Sequence, residues 1–225
     1  MKEENAEKNL EIGEVTEHSE LLSKKNRNIV IAVVIAIIVI VLAVFGIKKW
    51  YLEPREQTAA EQIFAAENWF GQDNYELALN GNEEYLGFAA VADEYGCTKA
   101  GNRAKYCAGI CQLRLGKYQE AIDYLKSYKG KDTFTSTQAV MLQGDAQLEL
   151  GNTNGAIALY EKAAQMSDDY LVAPAALQKA GLAHMIAGNN AKALECFKQI
   201  KSKYPESVEW AEADKYIAYV EASNK

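Results

Sequence analysis

The chain has 225 residues, 49% of them hydrophobic, with a formal net charge of −7, four cysteines and two histidines. So acidic a balance excludes nucleic-acid binding, which needs a basic face to displace counterions from phosphates. The two histidines, His18 and His184, stand far apart, and no CxxC or HxxxH spacing is present to suggest a metal site.

Residues 1–28 carry seven glutamates and few aromatics. That composition buries too little apolar surface to offset chain entropy, so a short disordered tail is expected. Residues 29–47, IVIAVVIAIIVIVLAVFGI, follow as an unbroken apolar run of 19. As a helix this run spans ~28 Å, the hydrocarbon thickness of a bilayer. A cleaved signal peptide starts its apolar stretch nearer the terminus and closes it with small residues. IKKWYLEP stands here instead, so the segment reads as a retained transmembrane helix. Trp50 and Tyr51 suit an interfacial aromatic belt, and Glu53-Pro54 marks where the membrane helix stops. Lys24, Lys25 and Arg27 before the span balance Lys48, Lys49 and Arg55 after it, so flanking charge leaves the orientation open.

Residues 50–225 hold 17 Lys plus Arg against 24 Asp plus Glu and are long enough for one domain with its own core. Three stretches within it align: LGKYQEAIDYL (115–125), LGNTNGAIALY (150–160) and AGNNAKALECF (187–197). Gly116, Gly151 and Gly188 stand 35 and 37 residues apart, and Ala121, Ala156 and Ala193 keep the same steps. So does a second glycine set seven residues earlier, Gly109, Gly144 and Gly181. The pattern describes a helix hairpin in which small residues let two backbones approach and a glycine makes the turn. Such units bury their cores only by stacking. Gly109, Gly116, Tyr118, Ala121 and Leu125 resemble the tetratricopeptide repeat. So do Gly144, Gly151, Ala156, Tyr160 and Ala163, and then Gly181, Gly188, Ala193, Phe197 and Pro205.

A weaker copy precedes them in AAENWFGQDNYELAL, where Trp69, Tyr75 and Ala78 take the aromatic, turn-aromatic and small positions. Ala78 lies 43 residues before Ala121, so an insertion is expected in or after the second helix of this unit, where Gly81, Gly87 and Gly96 fall. At the other end SVEWAEADKYIAYVEA places Trp210, Ala213, Ile217 and Val220 on one stripe behind a serine cap, as a solenoid's capping helix does. The expected fold is all-α: an N-terminal transmembrane helix, then a tetratricopeptide-repeat α-solenoid of about four hairpins and a C-terminal capping helix.

Enzymatic chemistry finds little support. The chain has no P-loop, no GxSxG and no dinucleotide fingerprint. Glu83-Glu84 and Asp168-Asp169 are sequence neighbours that do not share a helix face, and His184 falls in the first helix of its unit as a packing or surface residue. Cys107 and Cys111 lie one helical turn apart, with Cβ atoms ~5–6 Å apart where a disulfide needs ~3.5–4.5 Å, and they read as structural thiols. If a bridge exists, Cys97 with another thiol is the one to expect, and Cys196 completes the four. No cofactor, metal or small-molecule substrate is expected.

An N-terminal anchor followed by YLEPREQTAAEQIF, YELALNGNEEYLGF and a C-terminal repeat array resembles the YfgM-like ancillary subunit family of the SecYEG translocon, especially its Bacteroidetes-type forms, over about 24–222. The resemblance implies a bacterial inner-membrane protein with a cytoplasmic N-terminus and periplasmic repeats. It also implies an adaptor that links the translocon to periplasmic chaperones or translocating clients. The alternative is a scaffold for cell division or outer-membrane assembly.

Carrying the repeat register across, the first helix of each hairpin lines a concave face. The candidate groove residues are then Ile63, Glu67 and Phe70; Tyr106, Ile110 and Leu113; Met141, Asp145 and Leu148; and Gln178, Leu182 and Met185. They are mostly apolar, with Arg103 and Arg114 the basic residues nearest them. A groove of this kind suits an apolar or amphipathic segment rather than a clamped carboxylate, with Tyr106 as a rigid anchor and the two methionines as adaptable contacts.

Overall fold

The structure is a computed structural model that describes residues 27–223. The expected disordered tail, but for its last two residues, and His18 lie outside the described residues. The chain divides into two compact units, one reaching to Pro54 and one from Arg55 onward.

In the first unit residues 27–47 form helix α1, and Lys48–Leu52 follow as a π-helical turn. Apolar side chains are exposed around the whole circumference of α1, from Ile29 to Ile47. A soluble protein's core helix hides one face. A helix this long, free of charge and apolar on all sides from Ile29 to Ile47, is a candidate membrane span.

The second unit is built of helices alone among the described residues: α2 (Glu53–Gly71), α3 (Tyr75–Asn80), α4 (Phe88–Glu94), α5 (Lys99–Arg114), α6 (Tyr118–Ser127), α7 (Thr133–Glu149), α8 (Thr153–Met166), α9 (Ala173–Ile186), α10 (Asn190–Lys203) and α11 (Val208–Ser223). From α4 to α11 each helix packs on its neighbours in sequence, and α5 also touches α7. This makes a solenoid-like stack of hairpins.

The two glycine sets have separate tasks. Gly116, Gly151 and Gly188 adopt φ of +75°, +77° and +75° at the ends of α5, α7 and α9. The next N–H reaches back to close the same motif three times: Lys117 to Gln112 O, Asn152 to Gln147 O and Asn189 to His184 O, at 2.8–2.9 Å. Gly109, Gly144 and Gly181 face the second helix of their own hairpins. A Cβ there would fall 2.6 Å from Leu125, 2.5 Å from Tyr160 and 2.7 Å from Phe197. Each of these partners lies 16 residues on, and each is essentially inaccessible, as are Ala121, Ala156 and Ala193.

In the first hairpin Asp73 takes the left-handed turn position, with φ +58°. Asn74 N–H closes the turn on Trp69 O at 3.0 Å, and the Asp73 carboxylate accepts from the Tyr75 hydroxyl. The expected insertion divides the second helix into α3 and α4 through residues 81–87. Leu86 N–H donates to Gln62 Oε1 at 3.2 Å, and Asn82 Oδ1 accepts from Glu84 and Tyr85 N–H, so the loop is pinned at its base and tip. α11 covers the far end: Ala213 and Val220 are buried, Trp210 and Ile217 pack beside them, and Tyr216 stacks on Phe197 at 5.0 Å.

Candidate functional site

The first helices of three successive hairpins enclose a cavity of about 550 Å³. α5 contributes Ile110, Leu113 and Arg114; α7 gives Leu142, Asp145, Leu148 and Glu149; α9 gives Lys179, Leu182 and Ala183. Tyr118 of α6 and Tyr160 of α8 complete the wall. Five expected groove residues therefore meet here: Ile110, Leu113, Asp145, Leu148 and Leu182. Ile110, Asp145 and Leu182 each follow directly after the close-contact glycine of their repeat, so one register position lines the cavity three times.

The cavity's polar centre is already organised. The Tyr160 hydroxyl donates to Asp145 Oδ1 at 2.7 Å, and Lys179 Nζ donates to the same oxygen at 2.8 Å. Burial, reinforced by the Asp145 carboxylate, pushes the Tyr160 phenol well above its ordinary range, so it stays a donor. Lys179 and Asp145 keep 41% and 25% of their side-chain exposure, so the pair contributes about 1 kcal/mol at most and serves to orient. Sequence reasoning missed Lys179. It stands 34 residues after Asp145, but its repeat position is the one held by Cys107 and Leu142, both uncharged, so the register gave no sign of a cation.

The other expected residues lie elsewhere. Tyr106, Met141 and Gln178 share a register position three residues before the close-contact glycine, and each engages the next hairpin or, for Gln178, the capping helix. The Tyr106 hydroxyl donates to Gln138 of α7 at 2.9 Å, Met141 is buried with Val172 and Ala176, and Gln178 donates to Glu212 of α11 at 2.8 Å. The adaptable contact expected at Met141 is thus a core residue, and Tyr106 borders a separate cavity. Ile63 is buried at 2% exposure in the first hairpin's core. Phe70 packs edge-on against Tyr75 and Phe88, Glu67 is paired with Arg103, and Met185 packs against the α9–α11 cluster.

Among the described residues no group of His, Cys, Asp and Glu gathers as a metal site. His184 is buried, its Nε2 2.9 Å from Glu161 Oε1, a bond that joins α9 to α8. Glu83, Glu84, Asp168 and Asp169 are exposed on loops. Burial pushes the Cys107 and Cys111 thiols up to about 12 and Cys196 to about 11, leaving them protonated at neutral pH.

Two family models described as tetratricopeptide repeat match the chain, one over residues 104–132 and one over 141–208. The structure is similar to the crystal structure of the MamA protein, with a TM-score of 0.52 and 18% identity over 75% of this chain and 92% of that one. At that identity the likeness speaks for the fold. No curated protein matches the sequence. The chain carries tetratricopeptide repeats, and domains of this kind generally mediate protein–protein interaction.

Proposed function

We propose that the protein is a membrane-anchored interaction adaptor of the bacterial cell envelope, with α1 retained in the inner membrane and the repeats in the periplasm. The observation that carries this reading is the cavity of about 550 Å³, in which Ile110, Leu113, Leu142, Leu148 and Leu182 from three hairpins surround one fixed Tyr160–Asp145–Lys179 group. Leucine and isoleucine walls with an oriented polar centre, and with Arg114, Tyr118 and Glu149 also in the lining, suit an amphipathic segment laid along the groove. The partner class is the one the sequence resemblance implies: the Sec translocon with periplasmic chaperones or translocating clients.

Crosslinking in cells followed by identification of the partners tests the assignment. Translocon components, chaperones or exported chains are the expected products. Recovery of cell-division or outer-membrane assembly proteins instead would move the adaptor to another envelope machine.

A further inference from the structure

A second cavity lies along α5, nearer its N-terminus. It encloses about 410 Å³, and one part of its wall is the pair of rings of Tyr106 and Tyr128, which pack together with centroids 5.2 Å apart. It adjoins a cavity of about 370 Å³, and the two share Lys99, Asn102, Lys129 and Lys131. Arg103 and Lys105 stand at their edges. In a domain with 24 carboxylates against 17 cations, five cations converge here.

Asp132 lines the cavity and keeps its charge, outnumbered by the lysines, and the carboxylates within reach are held by hydrogen bonds or an ion pair. Asp132 caps α7, accepting from Thr135 N–H at 2.7 Å and from its hydroxyl at 2.6 Å, and these bonds hold its carboxyl below the usual carboxylate range. Glu56 accepts from the N–H groups of Lys99 and Ala100, and Glu67 is paired with Arg103. Lys105 donates to Gly96 O at 2.9 Å. Asn102 grips the backbone of Lys129 from both sides, at 2.8 and 2.9 Å, and so fixes the loop that presents Lys129 and Lys131.

We propose that this pocket docks a short acidic segment of a partner protein, its carboxylates on Lys99, Lys129 and Lys131 and an apolar side chain against the Tyr106 and Tyr128 rings. Opposite charge favours the anion. The acidity of the surrounding domain limits its length, because a long polyanion would run off the cations onto carboxylates. Arg103, Tyr106, Ile110 and Leu113 form one stripe of α5, with Tyr106 and Ile110 ~6 Å apart along the axis. A ligand can therefore set its acidic end here and continue with apolar residues into the larger groove. Only that apolar half rests on the groove reading of the proposed function.

The test uses the full chain in phosphatidylcholine nanodiscs and a fluorescein-labelled peptide whose glutamate tract leads into a leucine-rich amphipathic tract, followed by anisotropy. Wild type is expected to bind with an affinity that falls steeply with salt, and a lysine-led version of the peptide is expected not to compete. Lys129→Glu with Lys131→Glu, both exposed, should weaken binding about tenfold or more while circular dichroism is unchanged. Undiminished binding to that variant, or no binding to wild type, overturns the proposal. Loss in Leu182→Ala alone would then leave the groove reading standing. Loss in the lysine variant alone would uphold the pocket and remove the groove. If phosphatidylglycerol discs abolish peptide binding, the cations serve lipid head groups and the proposal fails. It fails equally if the wild type self-associates and the lysine variant does not, because the occupant is then a second copy.

Discussion

A methyl group on Gly144 would lie 2.5 Å from the Tyr160 ring, which is itself 1% exposed and has nowhere to move. Gly144→Ala should therefore destabilise the domain by about 1–3 kcal/mol in chemical denaturation, as overpacking does. Gly151→Ala meets open space but forces a φ of +77° on a residue with a side chain, at a cost of about 1–2 kcal/mol. Both glycines were visible in the sequence through their period. Their two tasks, turn and close approach, were legible as well; the partner atoms each close-contact glycine meets were not, since spacing carries no distances. The groove was legible to about the same depth. The register brought Ile110, Asp145 and Leu182 together, but it also selected Tyr106, Met141 and Gln178, which stand one turn earlier on the same stripes, outside the cavity, and engage the element that follows. Polar substitution at Tyr106 and Met141 should consequently lower stability, whereas Leu113 and Leu182 are the positions for testing capture. Alkylation of the native protein at neutral pH should mark the exposed Cys97 and spare Cys107, Cys111 and Cys196, as mass spectrometry would show. Rapid labelling of all four would contradict the burial described.

Hairpins α5–α6, α7–α8 and α9–α10 repeat one design, and the elements at either end depart from it for physical reasons. The first unit was faint in the sequence because Asp73 occupies the left-handed turn position that glycine marks elsewhere. It was also faint because residues 81–87 split its second helix. Gly81 and Gly87 pass so close that a Cβ on either would lie 2.4 Å from the other's backbone nitrogen, so the insertion is a tight loop. At the far end α11 was legible from its apolar stripe. Ending the chain after Pro205 would expose Phe197, on which Tyr216 stacks, together with Ile200 and the part of α9 that α11 touches. The thermal midpoint is expected to fall by roughly 5–10 °C. Amide exchange should quicken in α9 and α10 while α5 and α6 keep their protection, because solenoid stability propagates between neighbours. Uniform loss of protection would show that the repeats unfold as one unit.

At the scale of the whole molecule, an apolar helix exposed on all sides belongs to one unit and an interaction module to the other. The proposed topology predicts that protease added to spheroplasts removes the repeats beyond Tyr51 and spares the N-terminal tail. Digestion only after lysis of the inner membrane would place the repeats in the cytoplasm. The central claim is that the concave cavity holds a partner segment, and position-resolved photocrosslinking in cells tests it most directly. A photoreactive residue at Leu182, inside the cavity, should yield discrete protein adducts, whereas the same residue at Lys162, on the exposed face of α8, should yield few. Adducts that are equal at both positions, or confined to Lys162, would contradict the account.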